Sequence, residues 1–175
     1  MPSSPVDDRI DELAPNQFAE LIQRVPANAR PEILRRRFRN HRDEFCRYCW
    51  PERFNLPFSD LHHALFRLQR IPGYQERAQD VRVAVAAPRG YAKSTIASFA
   101  NIAHDIVYDR EAYIVLLSAT QRLSLGFSKG LRQQFTSKHS RFAQLYGPFE
   151  VEGGIGEWEV SVRGRPPVGV LARSC

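Results

Sequence analysis

Cysteine is scarce in this chain: its 175 residues hold three, Cys46, Cys49 and Cys175. An odd count without a secretory leader argues against a disulfide framework. Long apolar runs are missing too. A run such as Tyr113–Leu117 falls far short of the ~18 residues a membrane span needs, so no membrane partner is expected. The first residues, Met1-Pro2-Ser3-Ser4-Pro5, lead to Asp7 and Asp8, with neither a basic start nor an apolar signal core. These absences predict a cytosolic protein.

What is present is enough for a folded core. Hydrophobic residues make up 43% of the chain, near the globular norm, and the length suits one domain or a large piece of one. The formal net charge of +6 favours a polyanionic partner such as nucleic acid, and is equally compatible with ordinary solubilising charge. Cys46-Arg47-Tyr48-Cys49 has the spacing of a zinc half-site. No second CxxC follows, and at helical spacing Phe45 and Cys49 share one face, which favours two small core residues.

Periodicity divides the chain into a helical N-terminal region, residues 1–50, and an α/β region, residues 51–175. Ile10 with Leu13, then Phe18, Leu21, Ile22 and Val25, make short sticky faces interrupted by Pro15 and Pro26. Pro31 is placed to open a helix running toward Trp50, with Leu34, Phe38, Phe45 and Cys49 near one side. Arg35, Arg36 and Arg37, with Arg39 and Arg42, crowd that helix; they either meet DNA phosphates or form a solvated face. Leu61, Leu65 and Leu68 then recur at helical spacing. Val81, Val83 and Val85 alternate as a strand over 81–86, and Ile96, Phe99, Ala100, Ala103 and Val107 mark an amphipathic helix. Tyr113–Leu117 reads as a parallel strand covered on both faces, followed by a helix from Gln121 to Phe135. Trp158, Val160 and Val162 alternate with polar residues, whereas Arg163 to Cys175 shows no usable period. The alternation of strand and helix predicts a parallel α/β sheet.

Between the 81–86 strand and the helix from Ile96 lies Ala87-Pro88-Arg89-Gly90-Tyr91-Ala92-Lys93-Ser94-Thr95. A phosphate-binding loop needs a tight turn whose amides converge, a helix N-terminus, a lysine for the β- and γ-phosphates, and a hydroxyl for Mg²⁺. Lys93 and Ser94 fit the last two roles, and Thr95 adds a hydroxyl near the α-phosphate. The pattern GxxxxGK[ST] is met imperfectly, because alanines 87 and 92 stand where it has glycine and Gly90 is the loop's one glycine. The expected ligands are ATP and Mg²⁺, with 87–95 as the nucleotide-binding segment.

Pro88-Arg89-Gly90-Tyr91-Ala92-Lys93-Ser94-Thr95 resembles the deviant Walker A of phage terminase large subunits, the ATPases that drive viral DNA into procapsids. Phe58-Ser59-Asp60-Leu61-His62-His63-Ala64-Leu65 is similar to the segment before the P-loop in that family, and Tyr113-Ile114-Val115-Leu116-Leu117-Ser118-Ala119-Thr120-Gln121 to its second core strand. The likeness covers roughly residues 45–135. It implies a P-loop NTPase-like sheet and action on double-stranded DNA in the bacterial host cytoplasm. The portal protein and small terminase subunit are the implied partners. Arg89 takes the role of the arginine that acts in cis on the γ-phosphate, the catalytic residue of the set. His62 takes an adenine contact, or else packs as a structural residue. Ser118, Thr120 and Gln121 stand at the carboxyl edge of a strand, either coupling nucleotide to DNA or capping the next helix.

Hydrolysis needs more: an apolar strand ending in Asp for Mg²⁺, usually followed by Glu to activate water. No such strand is legible. The acids after the loop are Asp105, Asp109 and Glu111, then Glu150, Glu152, Glu157 and Glu159, the last four in what reads as a turn-rich tail. The sequence reads as the front of a terminase, without Walker B and nuclease domain, able to bind ATP but not to turn it over efficiently. Another nucleic-acid-dependent P-loop ATPase (helicase-like), or an inactive prophage remnant serving as a nucleotide-binding module, fits the same residues.

Overall fold

Proline sets the start of the first helices, where its fixed φ is already helical and its missing N–H leaves no bond unmade. In the computed structural model, which describes residues 5–67, 84–86 and 88–175, Pro5 opens α1 (Pro5–Glu12) and Pro15 opens α2 (Pro15–Arg24). Pro31 lies in the first turn of α3 (Arg30–Asn40). The helix expected to run on to Trp50 breaks at His41, whose backbone leaves the helical region (φ −113°, ψ 79°), and α4 (Arg42–Cys49) begins afresh. The break has a use. It brings Glu44 back onto Arg37 and aims Arg42 at Asp105 on a distant helix, 2.7 Å away.

α5 (Asp60–Arg67) follows, with Leu65 buried; Leu68 lies outside the described residues. So do Val81 and Val83 of the expected strand over 81–86 and Ala87 of the expected loop, while the strand's described part, 84–86, is exposed and forms no strand. Past the loop, α6 (Lys93–Thr95) passes through a π-helical segment, Ile96–Ala100, into α7 (Asn101–Val107). The five apolar positions expected on this helix are all buried. Beyond them come β1 (Tyr113–Ser118), α8 (Gln121–Thr136), α9 (Arg141–Tyr146), β2 (Phe149–Gly153), β3 (Glu157–Val162) and β4 (Val168–Ser174).

The fold is α/β, and the sheet is mixed rather than parallel. Strand order is β1-β4-β3-β2; β1 pairs with β4 in parallel, and the other two pairings are antiparallel. The reason is local. Gly153-Gly154 and Arg163-Gly164 are turns tight enough to fold β2, β3 and β4 into a meander, and Arg163 and Gly164 both take positive φ. The stretch from Arg163 showed no period because β4 is a central strand, buried at Val168, Gly169, Val170 and Ala172. At Gly169 a Cβ would stand 2.5 Å from the Tyr113 ring, so any larger residue there displaces that ring.

One face of the sheet, carrying Trp158, Val160, Val162, Val170 and Ala172, packs under the helices. The opposite face departs from expectation. Tyr113, Val115 and Leu117 were expected to be covered, yet they are exposed at 53%, 47% and 63%. The register carries this face across Leu171 to Glu157 and Glu159, then to Glu152. Those glutamates therefore belong to ordered strands, not to a turn-rich tail.

The core joins the helical N-terminal region to the sheet. Trp50 stacks on Phe142 (5.3 Å) and meets Phe99 (4.8 Å), and its indole N–H donates to Gln134. Trp158 donates to Ser128 in the same way, so both buried indoles are satisfied. Cys46 and Cys49 are buried here, and burial pushes both thiols upward in pKa.

Polar groups are buried as well. His104 is fully enclosed and lies edge-on to Phe45, with Nε2 2.9 Å from the Phe38 carbonyl; that nitrogen therefore carries the proton. Burial pushes its pKa down from 6.5 to about 4. Arg42 and Arg110 add to the fall, and Asp105 and the Phe38 carbonyl oppose it. The folded value is below the unfolded one, so the unfolded chain takes up the proton first as pH falls. The stabilisation is complete above pH 6.5 and is lost toward pH 4, by about 3 kcal/mol at 1.36 kcal/mol per pH unit. Urea titrations at pH 7 and pH 4.5 should show this loss, and His104→Gln should flatten it.

Candidate nucleotide-binding site

The 88–95 loop owes its shape to two residues with positive φ. Gly90 (φ 87°) turns the chain without steric cost, and Ala92 (φ 49°) takes the left-handed conformation directly before Lys93. For a residue with a Cβ this costs about 1–2 kcal/mol, so the surroundings must hold it there. Alanine thus does adopt the geometry for which the standard pattern uses glycine. The carbonyl of Ala92 accepts from Ile96 N–H at 2.9 Å, and Ile96 is fully buried, which anchors the helix under the loop.

Lys93 folds back over the turn, with Nζ donating to the Pro88 carbonyl at 2.5 Å. This bond spans the loop and holds a cation over it. Arg89, Tyr91 and Ser94 are exposed, and Thr95 is half-buried. Positive φ at Gly90 and Ala92 makes the turn tight, and Lys93 stands directly after it. Among the described residues no cluster of three or more His, Cys, Asp or Glu could hold a metal by itself.

His62 is brought to the loop. As the third residue of α5, its Nδ1 accepts from the Ser59 N–H at 3.0 Å, the arrangement of a helix capping box. Its Nε2 lies 3.2 Å from the Tyr91 carbonyl. The Ser59-x-x-His62 spacing is a capping signal visible in the sequence; the reach of the ring to residue 91 is not.

The arginines of α3 part company. Arg37 is corrected from candidate DNA contact to internal residue. It is 1% exposed and binds Glu44 through both Nε (2.9 Å) and Nη2 (2.5 Å). It also donates to the Ile10 and Asp11 carbonyls and lies over the Phe18 ring. Arg35 donates to the Leu145 carbonyl and to Glu32, and Arg36 to Glu32 from a half-exposed side chain. Their pairing pulls the Glu32 carboxyl below its ordinary pKa, with the Arg35 hydrogen bond the largest cause. The two classes should separate by experiment. Arg36→Ala, which removes a half-exposed side chain paired with Glu32, should leave the unfolding midpoint close to wild type. Arg37→Ala should deprive the half-buried Glu44 of its two-point partner, and lower the unfolding midpoint instead.

Thr120 caps α8, its hydroxyl accepting from Leu123 N–H, so the capping alternative for that residue is the one observed. Asp105 is committed to Arg42, and the glutamates of β2 and β3 sit on the uncovered sheet face. No family model, curated protein or solved structure matches this chain. The reading of the site therefore rests on its own chemistry. Among the described residues, no helix is long and apolar enough to cross a membrane.

Proposed function

We propose that this chain binds Mg·ATP at residues 88–95 and is the nucleotide-binding front of a DNA-packaging motor of the terminase type. The observation that carries the reading is the loop itself. Positive φ at Gly90 and Ala92 leads into a helix that opens with Lys93 and Ser94, and the lysine amine lies across the turn. A tight turn, a lysine and a hydroxyl at the opening of a helix are the features by which such loops hold a triphosphate and its metal, and we assign them that role here. Arg89, exposed on the same turn, is the residue proposed to meet the γ-phosphate. The terminase assignment rests on the resemblance of the motif, and double-stranded DNA as partner rests on that resemblance and the +6 charge.

Binding without efficient turnover is part of the proposal. Among the described residues neither parallel strand ends on a carboxylate: β1 closes at Ser118 and β4 at Ser174. A calorimetric titration with Mg·ATP should give one site per chain, and a phosphate-release assay should stay at the level of a Lys93→Ala control. Absence of any ATP binding would overturn the reading; Lys93-dependent turnover would overturn its second half.

A further inference from the structure

We infer that His62 is a positioning residue of the phosphate loop, setting the direction of the Ala92 amide through the Tyr91 carbonyl. The inference rests on the nucleotide-binding reading above and adds a role for a residue outside the loop. Its basis is a relay of two hydrogen bonds. The Ser59 N–H occupies Nδ1 at 3.0 Å, with the Ser59 hydroxyl at 3.2 Å from the same atom. An imidazole nitrogen that accepts a backbone N–H bears no proton of its own, so in the neutral ring the proton sits on Nε2. Nε2 is therefore a donor, and at 3.2 Å it gives its proton to the Tyr91 carbonyl. Phe58 packs edge-on to the ring at 5.9 Å, restricting its rotation, and is itself covered by the Arg47 guanidinium.

The consequence follows from peptide geometry. A trans peptide unit is planar, with C=O and N–H pointing in opposite directions. Holding the Tyr91 carbonyl toward α5 turns the Ala92 N–H to the other side. Ala92 is also the residue with the strained left-handed backbone, so this peptide has the most to gain from an external hold. An amide fixed before ligand arrives spares the ordering cost that binding would otherwise incur. His62 reaches the phosphates in this way without touching them. Base stacking, by contrast, would require the ring face, and would affect only ligands that carry a base.

Glutamine and asparagine separate the two ring nitrogens. The amide of Gln reaches about as far as Nε2 and can donate to Tyr91; the oxygen of Asn reaches about as far as Nδ1 and can keep only the Ser59 contact. Wild type, His62→Gln, His62→Asn and His62→Ala are titrated by calorimetry with Mg²⁺-tripolyphosphate and with Mg·ATP. One lost hydrogen bond predicts a fall of about 3- to 10-fold for His62→Asn and His62→Ala, equal for the two ligands, and a fall of under about 2-fold for His62→Gln. Equal affinities across all four proteins overturn the inference. A loss confined to ATP also overturns it and assigns the ring to the base. A wild-type chain that takes up neither ligand overturns the nucleotide-binding reading. The loop role is then decided by ¹⁵N resonances alone: an Nε2–H tautomer, and an Ala92 amide that moves in His62→Ala but not in His62→Gln, support it, and the reverse overturns it.

Discussion

Lys93→Ala is expected to weaken Mg·ATP binding by at least about 30-fold while leaving the unfolding midpoint close to wild type. Truncating one member of a close charge pair costs about 2–5 kcal/mol of affinity, and 2 kcal/mol is already a factor of about 30. The fold should be spared because Lys93 contributes little to the core. Its amine meets the Pro88 carbonyl at the surface, and the burial that anchors this helix comes from Ile96, Phe99 and Ala100. Lys93→Arg is a sharper control, since it keeps the charge but replaces a compact ammonium with a planar fork that the turn was not shaped to hold. Calorimetry with both variants checks the expectation, and a Lys93→Ala protein that binds as tightly as wild type would remove the lysine from the site.

Asp105→Ala should be among the most damaging single changes in the protein, costing about 3–5 kcal/mol of stability. Arg42 is 2% exposed and donates to Asp105 at 2.7 Å, between helices 63 residues apart in sequence. Removing the carboxylate takes from the buried Arg42 guanidinium its 2.7 Å ion pair. His104, 3.8 Å from the same carboxylate, loses a neighbour that favours its protonated form, so its charged form becomes still harder to reach. Replacing both partners, as Arg42→Met with Asp105→Leu, should recover most of the loss, because a packed apolar pair needs no compensation. Urea denaturation of the single and double variants at pH 7 measures this. Additive losses in the double variant would show that the pair is not coupled.

Periodic elements were legible in the sequence, and those set by long-range partners were not. The helix from Gln121 was readable because Leu131 and Phe135 recur on its buried side and Thr120 caps it. The helix after the loop was equally plain from Ile96, Phe99, Ala100, Ala103 and Val107. The break at His41 was not readable, because its benefit lies in ion pairs to Glu44 and Asp105 that local pattern does not report. β4 was hidden because its outer face carries Gly169 and Leu171 rather than polar residues until Arg173, so no alternation shows, and Gly169 lies against the Tyr113 ring. The uncovered face of Val115 and Leu117 was missed for a related reason, since an apolar run looks the same whether one face or two are packed.

In the candidate site, Lys93 and Ser94 were visible as residue types in sequence, and the structure adds the backbone conformations that let them act. Ala92 was the weak point of the motif, as a non-glycine at a position wanting positive φ; the chain takes φ 49° there. The arginine run shows the limit of composition. Arg35, Arg36 and Arg37 are alike in sequence, but Arg37 is an internal strut held by Glu44 and two carbonyls, which only the packing of α1 on α3 reveals.

The most direct test of the central claim is where the nucleotide binds. Backbone ¹H–¹⁵N resonances followed during a Mg·ATP titration should move at Arg89, Gly90, Tyr91, Ala92, Lys93, Ser94 and Thr95, with His62 responding through its bond to Tyr91. Shifts confined instead to the cleft lined by Asn40, His41, Arg42, His63 and Arg67, or no shifts at all, would contradict it.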